Sequence, residues 1–524
     1  MARWHFRMLN DAVRNSAFKK AIQHWVRRSG KVNVLDIGSG TGLLSMYAAN
    51  VAAVKSNLLA PGGKIVPWKV RIHVAGYKSK SLSSNQFLLN DSFSEYIFMD
   101  NFRLVAKNDE PYDAEFVDKF SDFKLVTNVE MDALEVDFNN LESMQKHFDG
   151  TIRNDIQLNC DIASDDYLDG FVTWFTLFLN EADESNVITT APKSESCWPQ
   201  AIFKLRSRFL IERDETLKLL VSCKDGVLEI YHDLDIVHQK IDLEVDPSVL
   251  RFLNDDEYLR ELEFAIAKHK HPIKNCLDFS PFPYVGLMLL KESRIEKLYC
   301  RKKDEGVIRT LAKINVINDS RLEFVDGPVF DLPVTFNLII LHPFHRLGVV
   351  DSRVVSDYPK YVARLENCQS MIVPQKITVF GELINSDALV DASRITNLEV
   401  RRLKIDKFIN KFATEIYLDM DASLDHEKLS AEFKISEVFL DEDLHETVIH
   451  VPVVNTSLPI QAIFYHHKIK LTGSSPEFST NRKTRMSCFK RTAQVLVLET
   501  QFEASSVAVS FQQNSGIVKC DVIG

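Results

Sequence analysis

Residues Leu9–Ile22 read LNDAVRNSAFKKAI and residues Leu253–Ile266 read LNDDEYLRELEFAI, with the Leu-Asn-Asp opening and the Ala-Ile close at identical separation. A self-similarity of this kind is read first, because missing it misassigns the whole architecture. Working outward, VLDIGSGTGLL (Val34–Leu44) aligns with CLDFSPFPYVG (Cys276–Gly286), and IVPWKVRI from Ile65 aligns with IVPQKITV from Ile372. Further along, GFVTWFTLFL matches QAIFYHHKIKL, and VSCKDGVL matches VSFQQNSGIV. The chain therefore reads as a tandem duplication.

Each copy opens with an amphipathic helix. In the first copy, Leu9, Val13, Ala17, Ile22 and Trp25 follow helical spacing. A short apolar strand and a turn come next. After the Ile-Val-Pro segment the pattern alternates with period two, Val70, Ile72 and Val74 set against Arg71 and His73, which predicts strands. VSCKDGVLEIY carries an Asp225-Gly226 turn between β-rich flanks and predicts a hairpin. Each copy is thus an α/β half followed by a β-rich half. The 524 residues exceed one hydrophobic core and call for two to four domains. Their expected extents are 1–64, 65–244, 245–371 and 372–524.

The balance of 63 Lys and Arg against 73 Asp and Glu gives a net charge of -10. That argues against direct nucleic-acid binding and suits a cationic protein partner. The eight cysteines include no C-x-x-C pair and read as reduced thiols, with neither a zinc knuckle nor a disulfide framework. No apolar leader region opens the sequence, and no stretch approaches the roughly 18 apolar residues of a membrane span. The expectation is no membrane, and an intracellular setting, cytoplasmic and also nuclear.

VLDIGSGTG places Asp36, Gly38, Gly40 and Gly42 between a strand and a helix-like segment, LLSMYAAN. Glycines there let backbone N–H groups and a helix N-terminus approach a ligand; a strand-to-helix turn without a ligand is the plain alternative. The spacing is G-x-G-x-G, with Leu43 where a dinucleotide fingerprint needs Gly or Ala, which favours S-adenosyl-L-methionine over NAD.

At this point RWHFRMLNDAVRNSAFKKAI, VLDIGSGTGLLSM, GGKIVPWKVRI, ALEVDFNNLESM, VTWFTLFLN and SESCWPQAIF, with IDKFINKFATEIYLDM in the second copy, resemble protein arginine N-methyltransferases. The resemblance implies a Rossmann-like S-adenosylmethionine module followed by a β-barrel, twice over. It also implies methyl transfer to arginine guanidino nitrogens of a protein, giving mono- and symmetric dimethylarginine on a partner such as a splicing-factor subunit. By the same resemblance Arg14 would hold the cofactor's carboxylate, and Asp36, Gly38, Gly40 and Gly42 would line the cofactor. On the catalytic side, Met8 would lie near its sulfonium, and SESCWPQ corresponds to a loop in which Trp198 is retained and Cys197 stands in a His position. The duplication implies an internal pseudo-dimer within a monomeric chain.

A guanidinium remains a cation, so the family's chemistry needs paired carboxylates to orient and polarise it. Residues 37–90 contain no Asp or Glu. Asp36 and Pro67 are 31 positions apart, whereas Asp278 and Pro374 are 96 apart, so the first copy is 65 residues shorter where the family carries its ribose acid and two glutamates. The first module is read as truncated and the second as degenerate. In the second, Pro281 and Pro283 remove backbone donors. There His342 and His345 occupy the position of the double glutamate. That H-x-x-H pair has no companion ligand at a recognisable spacing, so no metal is expected. His466, His467, His269 and His271 read as exposed or interface histidines. The rival to an enzyme is a catalytically inactive scaffold or splice form; small-molecule methyl transfer is disfavoured by the barrel halves.

Overall fold

The computed structural model describes residues 4–29, 63–99, 101–107, 110–225, 227–234, 240–327, 329–344, 348–410, 416–419, 425–439, 447–454, 457–482, 486–489, 491–495, 506–512 and 517–521, with the single positions 34, 36, 43 and 44. They form two compact units, each assembled from three separated stretches: Met1–Ser83, Asn108–His238 and Val390–Thr414 in one, and Ser84–Lys107, Gln239–Leu389 and Glu415–Gly524 in the other. Each unit thus takes in a short arm that leaves the β-rich half of the other copy.

In the first unit, helices Trp4–Asn10 and Ala12–Ser29 precede two antiparallel sheets. One runs Asp113–Glu115, Gln200–Ile211, Asp166–Asn180, Lys69–Lys78, Lys124–Leu125, and Glu130–Asp137 and Asp183–Thr189 add to its two central strands. The other runs Val227–His232, Thr216–Lys224, Asp149–Asn159. The two pack on one core that includes Val74, Phe171 and Phe203 from the first and Ile156, Leu217 and Val221 from the second. The expected hairpin forms, with Lys224 paired to Val227 and Asp225 at φ 51°.

The opening helix departs from the expected periodicity. It breaks at Asp11, and Val13 is 59% exposed, while Ala17, Phe18, Ala21 and Val26 are buried. The break turns Asp11 into an N-cap, its Oδ1 accepting the Arg14 N–H at 2.8 Å.

The second unit contains a five-stranded parallel sheet in the order Leu322–Val325, Ile295–Arg301, Ile273–Phe279, Leu338–Leu341, Met371–Val373. Its strands read as near-continuous apolar runs because helices such as Tyr284–Lys291 and Glu305–Ile314 cover the faces. Two antiparallel sheets follow. Their strand order repeats that of the first unit, with Lys376–Asn385 and Ala462–Lys470 at the centre.

Two asparagines dock the exchanged arms by the same four hydrogen bonds. Asn254 accepts from the Leu89 and Asn90 N–H groups (2.6 and 3.1 Å) and donates to the Ser84 and Phe87 carbonyls (2.7 and 2.9 Å). Asn10 accepts from Thr396 and Asn397 (2.8 and 3.2 Å) and donates to Asp391 and Arg394 (2.8 and 2.7 Å). The sequence spacing within each arm is identical. Asn254 is 3% exposed, so removing its side chain strands four backbone groups in a dry setting. Asn254→Ala is expected to cost about 2 kcal/mol. Urea unfolding checks this, and an unchanged midpoint would contradict it.

Candidate cofactor site in the first copy and its closed counterpart

In the first unit the cap at Asp11 ties the helix start to the 196–198 loop. Its Oδ2 accepts the Cys197 N–H at 3.0 Å while Oδ1 holds Arg14. The Trp198 backbone N–H in turn donates to Ser196 Oγ at 3.1 Å, which closes the turn of the loop. Arg14 is 6% exposed, with its guanidinium 5.0 Å from the Trp198 ring and 5.1 Å from Phe18, and its Nη1 donates to Asn15 Oδ1 at 2.8 Å. Trp198 packs on Phe175 at 5.7 Å and against the buried cluster that includes Ala17 and Leu179. Asn15 donates to the Met8 and Leu9 carbonyls (3.1 and 2.9 Å), closing the turn between the two helices. Met8 is half-buried on the preceding helix.

Arg14 is thus a buried cation beside two aromatic rings, a setting in which a planar guanidinium can pair with a carboxylate. Burial, with Asp11 beside it, pushes the Cys197 thiol up to about 12, so this cysteine stays protonated and is no nucleophile. Arg14, Met8 and Trp198 thus sit around one helix start. Asp36 is half-buried, and Gly38, Gly40 and Gly42 lie outside the described residues.

The second unit repeats the scaffold with different contents. Asp255 caps its helix through the Tyr258 N–H (3.2 Å) and accepts the Cys488 N–H (2.8 Å), and the Phe489 N–H donates to Ser487 Oγ (3.1 Å). By position Phe252 stands for Met8, Tyr258 for Arg14 and Phe489 for Trp198. These rings pack together, Tyr258 on Phe489 at 4.7 Å and on Phe252 at 6.2 Å. His342 fills the centre, 5.5 Å from Phe489 and 5.8 Å from Phe252, its pKa driven down to about 4 by burial. A neutral imidazole inside an aromatic cluster is packing material. His345 lies outside the described residues, and among these no group of three metal-ligating side chains occurs.

The glycine-loop counterpart is likewise closed on itself. Asp278 accepts from the Ser280 and Gly286 N–H groups, both at 3.0 Å, and Phe282 is fully buried. Among the described residues an aromatic ring, Tyr258, stands where the first copy has the Arg14 guanidinium.

Two expectations are corrected. His466 and His467 are 1% and 2% exposed, not surface residues. His466 pairs with Glu432 at 2.9 Å and stacks on Phe380, and His467 lies against Phe344. They sit on the central strand Ala462–Lys470, where both sheet faces are covered. Sequence reasoning also passed over Asp11, Asn10 and their counterparts as anchors. The Ser-Cys-Trp and Ser-Cys-Phe triplets, 196–198 and 487–489, were the available signal.

Residues 72–239 match the family model described as the arginine methyltransferase oligomerization subdomain. Protein arginine N-methyltransferase 9 of Homo sapiens is 24% identical over 327 residues, covering 44% of this chain and 37% of its own length. The chain is similar to protein arginine methyltransferases. Protein arginine N-methyltransferase 1 of Caenorhabditis elegans is 24% identical over 274 residues, covering 41% of this chain and 78% of its own. The chain spans well under half the length of the first curated relatives it matches, 37% to 39%. Among solved structures, Arabidopsis thaliana protein arginine methyltransferase 10 aligns with a TM-score of 0.38 at 14% identity, over 50% of this chain and 86% of that one. The exchanged arm 84–107 falls within the matched subdomain.

Proposed function

We propose that this protein is an S-adenosylmethionine-dependent protein arginine N-methyltransferase, built as a tandem duplication in which the first copy holds the cofactor and the second is closed. The observation that carries this is Arg14, a buried guanidinium between Trp198 and Phe18, set against Tyr258 at the same position of the aromatic cluster. The paired asparagine docks and the repeated strand order support the duplication, with 1–64 as a truncated Rossmann-like module and 65–244 and 372–524 as β-barrels. The exchanged arms support an internal pseudo-dimer.

S-adenosylmethionine supplies a methyl group on a positively charged sulfur. Arg14 would bind its carboxylate through a charge-assisted fork, with Asp36, Gly38, Gly40 and Gly42 along its nucleoside side. Met8 and Trp198 would wall the methyl-bearing end and exclude water. The substrate is an arginine-bearing protein, a splicing-factor subunit by resemblance, and mono- and symmetric dimethylarginine are the proposed products. A cytoplasmic and nuclear setting fits such a substrate.

One observation favours a second reading, a catalytically inactive scaffold or splice form. No acid lies between residues 37 and 90, so nothing there can orient a substrate guanidinium. Sequencing the native transcript across the codons for Tyr47–Pro67 separates the two. The enzymatic reading expects an in-frame segment of about 65 residues with two glutamates on one loop, and labelled methyl transfer to an arginine-rich protein only when that segment is present. Methylation by this chain as it stands would overturn the assignment of catalysis to those acids; an uninterrupted junction would leave the scaffold.

A further inference from the structure

The parallel sheet of the second unit ends in a cavity of about 560 Å³ lined by Phe279, Arg301, Lys302, Lys303, Val325, Asp326, Gly327 and Tyr361. Phe279, Arg301 and Val325 are the last residues of three adjacent parallel strands, Ile273–Phe279, Ile295–Arg301 and Leu322–Val325. Open α/β sheets bind ligands in the crevice outside the carboxyl ends of their strands, and the volume suits a small molecule. The aromatic cluster that closes the cofactor position leaves this crevice open.

Its charge is mainly positive. Three consecutive cations face a single acid, Asp326, whose 2.8 Å pair with Lys302 joins side chains that are 54% and 74% exposed. Lys303 reaches Asp246 at 3.0 Å in a similarly exposed pair. Such pairs exchange readily for a better-placed anion. Arg301 lies 5.0 Å over the Phe279 ring and forms no ion pair among the described residues. Phe279 and Tyr361, each 8% exposed, form the aromatic part of the wall. Gly327, at φ +115° with no atom within 4 Å of a would-be Cβ, keeps the rim clear.

The end of the second strand decides the ligand. In dinucleotide-type sheets an acid there takes the ribose hydroxyls, and an arginine nearby takes a phosphate on the ribose. Here the residue is Arg301. We propose that this crevice binds an adenine-type nucleotide carrying phosphate on its ribose, the base against Phe279 and Tyr361 and the phosphate on Arg301 with Lys302 and Lys303. The proposal is independent of methyl transfer and stands if that reading fails.

Calorimetric titration of the full chain with adenosine 2′-monophosphate, adenosine and inorganic phosphate tests it. The nucleotide is expected to bind saturably at least about tenfold tighter than adenosine or phosphate alone. Arg301→Gln and Lys302→Gln should each weaken it several-fold, and Arg14→Met should leave it unchanged. Both substituted side chains are exposed, so thermal unfolding should match the parent. Equal affinity for adenosine, equal affinity for inorganic phosphate, no saturation at millimolar nucleotide, or indifference to Arg301→Gln would each overturn the proposal.

Discussion

Asp255→Ala is expected to destabilise the second unit by about 3–5 kcal/mol, the cost of breaking a buried ion pair by removing one partner. The carboxylate is 2% exposed and accepts four hydrogen bonds: Tyr258 N–H at 3.2 Å, Cys488 N–H at 2.8 Å, and Arg482 through Nη1 at 2.9 Å and Nη2 at 2.5 Å. Arg482 has an 11% exposed side chain and, if Asp255 is lost, keeps among the described residues the Ser487 hydroxyl and one carboxylate, that of Glu257, itself 63% exposed. Asp255 and Glu257 raise the Arg482 pKa against its burial, so the group stays charged and cannot escape by losing its proton.

The matching change in the first unit gives the control. Asp11 accepts from two backbone N–H groups, those of Arg14 and Cys197, and Asp11→Ala should cost about 1–2 kcal/mol, the range of an N-cap. Urea unfolding followed by a probe in each unit separates the two, since the units need not unfold together. Equal losses at Asp11 and Asp255 would show that the Arg482 fork adds nothing.

How much of this was readable in advance depends on whether the cause was local. The LND repeat, the alternation in Val70–Val74 and the Asp225 turn are local patterns, and helix, strand and hairpin formed where they placed them. Val13 was misplaced because helical spacing assumed one unbroken helix, whereas the Asp11 cap restarts it. His466 and His467 were read as exposed or interface groups. Their burial follows from a central strand whose neighbours lie far away in sequence, with Glu432 supplied from another segment. The arm exchange was invisible for the same reason, since nothing in residues 84–107 names Asn254 as their partner. Arg14 and Trp198 were assigned by resemblance, and the packing brings them within 5.0 Å. That Tyr258, Phe252 and Phe489 replace their set could have been read from the aligned repeats.

Arg14→Met is expected to weaken S-adenosylmethionine binding about 30- to 100-fold, the loss of roughly 2–3 kcal/mol for a charge-assisted fork. Methionine keeps an unbranched apolar stem against Trp198 and Phe18 and removes the donors, so packing is retained while the carboxylate loses its partner. Tyr258→Phe at the equivalent position of the second copy should leave binding unchanged, because that position lies inside the ring cluster.

Equilibrium binding of labelled S-adenosylmethionine to the full chain, measured with Arg14→Met and Tyr258→Phe beside the parent, therefore tests the central claim that one copy holds the cofactor and the other is closed. The account predicts one equivalent per chain, lost at the same concentration in Arg14→Met and kept in Tyr258→Phe. Two equivalents, none, or a single equivalent indifferent to Arg14→Met would contradict it.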